Sequence, residues 1–442
     1  MSIAEISLFD TKSRKLQPLK SSDGKKIRIY SCGPTVYRDA HVGNMRTFLL
    51  GDLVTRTAKF LGHNVEFIQN ITDVGHMSED FVEDKILAQA KAESKDPFEI
   101  ARIYEARFHK DLSHLNITPA DKYPKASECI EMMQDLISKL IAKNHAYVGS
   151  DNCVYFSAQS FSGYGAISGN RLDSLKPGHR FEYTEDGAKR FHADWALWKA
   201  AGDRTQMIWD SPWGAGFPGW HIECSAMSLH YLDEFVDLHL GGIDLRFPHH
   251  EDERAQSNCA IDKEAVELWV HGEHLLFEGR KMAKSTGNVV LISDLIEKHI
   301  DPLALRLCFL ENRYRSQMDL SWESLKAAHG LLQRWRGAAV PVECRLDGAQ
   351  PRQARRDLLP DRRQAPDPAG EEGAGNLSDG QHPELDSAAG WSLCAPYAQR
   401  QSAPPQCPGD LAGEAHQLAA GEINTARLNR PRAVRLPGLF CA

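Results

Sequence analysis

The chain has 442 residues, 42% of them hydrophobic and 25% charged, with a formal net charge of −8; this is ordinary globular composition, long enough for about two to four domains. No apolar run approaches the roughly 20 residues needed to span a bilayer, and Met1 to Lys15 mixes charges every few residues with no apolar stretch of the secretory kind. Ten cysteines without tight pairing do not read as a disulfide framework and fit metal-binding or catalytic thiols in a reducing, cytoplasmic setting, while the acidic balance gives nucleic acid no global basic field, so any such contact needs a local patch.

In chain order, Lys25–Gly33 sets Ile27, Ile29 and Ser31 between basic or polar residues and ends in Gly-Pro, which predicts a strand closed by a turn. His41–Leu61, with Phe48, Leu49, Val54, Phe60 and Leu61 apolar, predicts a helix, and Asn64–Asp73 a second strand. Strand, helix and strand in that order suggest a parallel βαβ unit. Residues 97–145 are expected to be helical, from a stripe through Ile100, Tyr104, Phe108 and Leu112 and another through Met133, Leu136, Ile137 and Leu140. Ala146–Phe156 is strand-like, and 160–218 is rich in Gly, Pro and aromatics and reads as irregular. Phe235–Asp244 and Leu268–Gly279 read as strands, and Ser293 as the N-cap of a helix containing Glu297 and Lys298. The expected fold is a parallel α/β domain split by a long insertion and followed by helices.

Composition changes near residue 340. The last lysine is Lys326, and residues 341–442 hold 11 arginines and 12 prolines but a single Ile (Ile423) and a single Phe (Phe440). Such a segment buries too little apolar surface to offset its ordering entropy and is not expected to form a packed helical bundle. Reading a GC-rich gene out of frame would give this composition; a native disordered tail is the alternative.

Three motifs carry chemistry. Gly33-Pro34-Thr35 through His41-Val42-Gly43-Asn44 joins the first strand to the first helix, where a parallel sheet binds ligands and a helix N-terminus offers free N–H groups to phosphate. His41 and Asn44, three residues apart, could hold a triphosphate, with Gly43 allowing close approach; helix capping and packing is the alternative. Lys281-Met282-Ala283-Lys284-Ser285 puts two lysines on a short stretch after a strand, able to stabilise charge on a transferring phosphate; a solvated basic loop is the alternative. His249-His250-Glu251-Asp252-Glu253 puts His249 and Glu253 on one helical face. With Cys32 and Cys224 these residues are a donor set suited to zinc, against a plain polar helix start and two small buried cysteines. Cys129, Cys153, Cys259 and Cys308 read as packing residues.

Taken together and in this order, the motifs resemble those of the cysteinyl-tRNA synthetases, class I aminoacyl-tRNA synthetases, over roughly residues 5–335. Cys32-Gly33-Pro34-Thr35-Val36-Tyr37 with His41-Val42-Gly43-Asn44 is similar to the family's first signature and Lys281–Ser285 to its second. Asn70–Asp73, Ala196–Lys199, Gly219–Met227 and Phe247–Glu251 match further family patterns. The resemblance implies a Rossmann-like parallel-sheet catalytic domain in two halves, 1–115 and 206–270, a connective insertion at 116–205, the signature loop with helical stem-contact elements at 271–335, and an atypical tail from 336 to 442. It implies ATP-dependent activation of L-cysteine to cysteinyl-adenylate and transfer to tRNA(Cys).

The same resemblance implies site residues. Cys32, Cys224, His249 and Glu253 would bind one zinc ion per chain. Thr35, Thr72, Trp220 and His239 would line the amino-acid pocket. His41, Asn44, Lys281 and Lys284 would act on the phosphates of ATP, which is expected with Mg2+, and Gly43 and Asp244 would help hold the nucleotide. The expected protein is a cytoplasmic monomer without membrane contact. Asn44 stands where the family more often has histidine, Ala283 where it more often has serine, and no helical anticodon-binding domain is legible after residue 340. A mycothiol-pathway ligase joining cysteine to an amino sugar, and a catalytically silent paralogue that binds tRNA or cysteine, are the alternatives.

Overall fold

A computed structural model describes residues 5–75, 84–175, 188–282 and 287–338. Ala283, Lys284 and the tail from 341 to 442 lie outside the described residues.

The chain opens with an antiparallel hairpin, β1 (Ile6–Asp10) and β2 (Lys15–Leu19). β3 (Ile27–Ser31) follows, with all five residues buried, as expected of a strand covered on both faces. α1 (Val42–Phe60) crosses to β4 (Val65–Gln69), which pairs with β3 in parallel. His41 caps α1 reciprocally with Asn44: the Asn44 N–H donates to His41 Nδ1 at 3.3 Å, and the His41 N–H donates to Asn44 Oδ1 at 3.1 Å. The cap satisfies two donors that a helix start otherwise leaves unpaired.

The next segment carries α2 (Lys85–Glu93), α3 (Pro97–His114) and α4 (Ile130–Ala142). Asp96 and Pro97 start α3 by capping Phe98 N at 2.8 Å and presetting φ. The expected helical stretch is thus two helices separated by an extended run in which Lys122 and Lys125 bridge to Ile68 and Ile71 beside β4. β5 (Ala146–Val148), β6 (Val154–Phe156), β7 (Trp195–Ala200) and β8 (Gly216–Pro218) form one antiparallel sheet. The region read as irregular therefore contains two strands, and the sheet runs on past residue 205. Its strands are three to six residues long, and Trp198 at its centre is fully buried; such short strands leave too few alternations for the period of two to show.

α5 (Trp220–Tyr231), β9 (Val236–Gly242), α6 (His249–Ile261) and β10 (Val266–Gly272) complete the main sheet, whose order is β10-β9-β3-β4 with every neighbouring pair parallel. The chain leaves β3 toward one edge and β9 toward the other. The gap beyond the carboxyl ends of β3 and β9 is therefore the switch point where such sheets bind ligands. The remainder comprises β11 (Leu275–Phe277), β12 (Arg280–Lys281), α7 (Ile292–Glu297), α8 (Pro302–Leu310), β13 (Met318–Leu320) and α9 (Trp322–Ala338). The Rossmann-like sheet, the insertion and the following helices match the expected class.

Ser293 does not cap α7. The N-cap is Leu291, whose N–H donates to Asp294 Oδ2 at 2.8 Å; the N3 carboxylate satisfies the N-cap N–H, and Ser293 lies inside the helix. Arg46 of α1 fastens the signature region: it donates to the carbonyls of Glu273, His274, Arg313 and Ser316 at 2.8–3.0 Å. Burial lowers it to about 10, so it stays charged at neutral pH, and hydrogen bonds from a charged group are the stronger kind.

Candidate active site

Cys32 leaves β3 with its N–H on Leu240 O of β9 at 3.1 Å, which puts its thiol at the switch point. Cys224 comes from the second turn of α5, and His249 and Glu253 from the first two turns of α6. One ligand atom from each of Cys32, Cys224, His249 and Glu253 lies within 4.8 Å of the others, and all four residues are buried. The Cys32 and Cys224 sulfurs are 3.9 Å apart, and His249 Nε2 is 2.8 Å from Glu253 Oε1. A second group, Cys32, His239, His250 and Glu253, meets the same limit.

The donor set suits a metal ion on physical grounds. Two thiols, an imidazole and a carboxylate are a borderline-soft set of the zinc type. Burial pushes the Cys32 thiol and the Glu253 carboxyl well above their ordinary values, so their charged forms lack compensation that a dication would supply. Glu253 Oε2 and His239 Nδ1 are buried and make no hydrogen bond among the described residues, a state that proteins seldom leave unexplained.

What holds these ligands was invisible in the periodicity. From His249 to Ala260 every residue of α6 is buried, although most are polar and charged residues are seldom buried unless paired. Glu251 accepts the Gly165 and Ile167 N–H groups at 2.7 Å. Asp252 accepts the Tyr164 hydroxyl at 2.6 Å and faces His221 Nε2 at 3.3 Å; His221 Nδ1 is 2.7 Å from His249 Nδ1. His250 Nδ1 is 2.8 Å from His271 Nε2. Sequence reading assigned no role to His221, Asp252 or His271. The one available signal was a helix-length run without an apolar stripe, which argues for solvent or for a buried polar site.

Of the four expected pocket residues, Trp220 and His239 contact the tetrad, while Thr72 and Thr35 lie beside it only through Glu223 and each other. The Trp220 ring lies 4.5 Å from the His249 ring. His239 Nε2 is 3.5 Å from Cys32 Sγ and 3.4 Å from Glu253 Oε2, its ring stacked on Trp269 at 4.5 Å. Thr72 donates to Glu223 Oε2 at 2.8 Å, next to Cys224, and bridges Thr35 beyond the ends of β3 and β4. Glu223 is buried, which raises its carboxyl well above the ordinary range; it is a further pocket group that sequence reading passed over.

A separate cleft of about 120 Å³ opens at the N-terminus of α1, lined by His41, Gly43, Asn44, Asp244 and Lys281 together with Gly242 and Gly272 at the ends of β9 and β10. His41 Nδ1 is occupied as an acceptor by the Asn44 N–H, and burial lowers the imidazole's pKa. A neutral ring in that arrangement carries its proton on Nε2. Any Cβ at Gly43 would stand 3.0 Å from two atoms of the His41 ring, so close approach at the helix start requires glycine. Lys284 lies outside the described residues. A larger depression of about 350 Å³, between Phe277, Val290, Lys298 and Trp322, holds none of these residues.

Residues 18–330 match the family described as tRNA synthetases class I (C) catalytic domain. A cysteine–tRNA ligase of Thermus thermophilus is 46% identical over 325 residues, 73% of this chain and 67% of that protein. The cysteine–tRNA ligase of Protochlamydia amoebophila is 39% identical over 332 residues, 74% of this chain and 68% of that protein. Among solved structures, Mycobacterium tuberculosis methionyl-tRNA synthetase in complex with methionyl-adenylate aligns with a TM-score of 0.49 and 16% identity, over 69% of this chain and 68% of the other.

Proposed function

The chain belongs to the class I tRNA synthetases of the cysteine–tRNA ligase family, ligases that form aminoacyl-tRNA, and from that premise we propose that it activates L-cysteine with ATP and transfers it to tRNA(Cys), selecting the substrate by its thiol at Cys32, Cys224, His249 and Glu253. The convergence of those four buried donors at the switch point supports this reading above all.

A zinc ion held there with an open coordination position would favour a thiolate over a hydroxyl, a discrimination that shape alone cannot supply between cysteine and serine. Thr35, Thr72, Trp220 and His239 would line the amino-acid pocket, with Thr72 held by its hydrogen bond to Glu223. Attack by the substrate carboxylate on the α-phosphorus needs positioning and charge stabilisation more than a general base. His41 Nε2–H, the Asn44 side chain, Lys281 and Lys284 would supply these, with Mg2+ accompanying ATP. Asp244, at the mouth of the same cleft, would orient the nucleoside. The expected boundaries make 1–115 and 206–270 the catalytic halves, 116–205 the insertion and 271–335 the signature and stem-contact region. Among the described residues no helix is long and apolar enough to cross a membrane.

The test is ATP–pyrophosphate exchange with cysteine and with serine, followed by transfer to tRNA(Cys) or to an amino sugar. Exchange with cysteine alone and transfer to tRNA are expected. Transfer to the sugar only would make this the amino-sugar ligase, and binding without exchange would make it a silent paralogue.

A further inference from the structure

We propose that Thr11, in the turn of the N-terminal hairpin, is a positioning residue for the Cys32 thiolate, acting through His271 and His250. The proposal rests on the reading of Cys32, Cys224, His249 and Glu253 as metal ligands.

Four groups stand in a line. Thr11 Oγ1 is 2.8 Å from His271 Nδ1, His271 Nε2 is 2.8 Å from His250 Nδ1, and His250 Nε2 is 3.3 Å from Cys32 Sγ. A neutral imidazole has one donor and one acceptor nitrogen, so such a line runs one way or the other and its ends decide which. A thiolate only accepts. His250 Nε2–H then donates to sulfur, which leaves its Nδ1 to accept from His271 Nε2–H, which leaves His271 Nδ1 to accept from Thr11. The Thr11 hydroxyl is the group at that end able to donate. When Cys32 carries its proton, the line reverses and the same hydroxyl accepts from His271 Nδ1–H. Both directions are fully satisfied because a hydroxyl can donate or accept; valine, of the same shape, does neither.

The turn does not depend on that hydroxyl for its place. The Thr11 N–H donates to Trp269 O at 2.8 Å, and Asp10 accepts the N–H groups of Trp269 at 3.0 Å and Ser13 at 2.7 Å. Removing the hydroxyl thus leaves the hairpin docked on β10 and strands His271 Nδ1 in a site closed to water, since His271 is buried. Groups that orient metal ligands in this manner typically change metal affinity by about 10–100-fold when lost.

The competing geometry is a metal on Cys32, His239, His250 and Glu253, with His250 Nε2 bound to the ion and the line fixed in the reverse sense. The set containing both sulfurs is the better match for a thiophilic ion, and in it His250 remains a donor to sulfur.

The experiment loads the full chain with cobalt(II) and follows the sulfur-to-cobalt charge-transfer absorption while a chelator removes the metal. Wild type, Thr11→Val, Thr11→Ser and Cys224→Ala are compared, with thermal midpoints of the metal-free forms. Thr11→Val is expected to release cobalt about tenfold faster than wild type and to melt a few degrees lower without metal, roughly the cost of one unpaired buried nitrogen, Thr11→Ser to match wild type in both, and Cys224→Ala to lose the signal. Equal release from Thr11→Val and wild type overturns the proposal, as does a Thr11→Ser variant as leaky as Thr11→Val. Wild-type affinity in Cys224→Ala puts the ion on the other four residues and also overturns it. Failure of the wild-type chain to bind cobalt instead removes the metal reading itself.

Discussion

Tyr164, which follows the β5–β6 hairpin, donates its hydroxyl to Asp252 of α6 at 2.6 Å. Through that contact the insertion reaches the buried donor cluster of Cys32, Cys224, His249 and Glu253. Asp252 turns its other oxygen to His221 Nε2, and His221 Nδ1 meets His249 Nδ1 at 2.7 Å. With Asp252 accepting from His221 Nε2–H, His221 Nδ1 accepts from His249, and the His249 Nε2 lone pair is left facing Glu253, where a metal ion would be held. Tyr164→Phe is expected to weaken zinc binding severalfold and to cost about 1–3 kcal/mol of stability, because one buried carboxylate oxygen loses its donor. Zinc competition titration and urea unfolding measure the two effects. A variant with unchanged zinc affinity would show that the insertion does not support the ligand.

Cys224→Ser tests the selectivity argument directly. The purified wild type is expected to carry about one zinc per chain by elemental analysis and the variant close to none. Cysteine-dependent exchange should fall by orders of magnitude and the preference for cysteine over serine should shrink with it. Loss of metal with undiminished discrimination would separate the two properties and contradict the assignment.

The motifs gave the donor set, because residue chemistry survives in sequence even when spacing says nothing about convergence. Cys32 and Cys224 are far apart in the chain and meet because β3 and β9 are neighbours in the sheet. No local period carries that information; the strand–helix–strand pattern around β3 and the resemblance did. The main parallel strands were legible because apolar residues recur within them, as Ile27 and Ile29 do in β3, and turn residues such as Gly33-Pro34 end them. β7 and β8 were not, because they are six and three residues long in a stretch rich in Gly, Pro and aromatics, and the N-cap of α7 was misplaced because Leu291 offers no polar side chain and only its N–H, held by Asp294, marks it. The polar network under the tetrad, His221, Asp252 and His271, had no sequence rule to expose it. Its members look like surface residues until α6 is seen to be enclosed.

Gly43→Ala addresses the nucleotide cleft. The new methyl would stand 2.9 Å from Met282 Cε and 3.0 Å from the His41 ring. Met282 can yield, being flexible; the His41 ring is fixed by its cap with Asn44. The ring must shift by a few tenths of an ångström, and reacting groups tolerate little misplacement. Exchange is expected to fall roughly tenfold with little change in cysteine binding, measured by exchange kinetics and calorimetric titration of cysteine. An equal loss in both would place the effect elsewhere.

Asp111 supplies a prediction about pH that is independent of the metal. It sits in the last turn of α3, at the negative end of the helix dipole. Burial, with Asp39 adding repulsion, raises its carboxyl to about 7. The sign follows from linkage: between the unfolded value near 3.9 and about 7, the folded chain holds a proton that the unfolded chain has released. Asp111 therefore costs stability increasingly as pH rises through that window and costs nothing below it. The carboxyl is partly open to solvent, and screening limits the penalty to about 1 kcal/mol. Asp111→Asn removes the charge with almost no change in shape. It should unfold with the wild type near pH 3, below both values, and melt about 2 °C higher at pH 8, with the gap opening progressively between. Thermal melts across that range measure it. A gap that stays constant with pH, or that closes as pH rises, would mean that Asp111 ionises in the folded chain as it does in water.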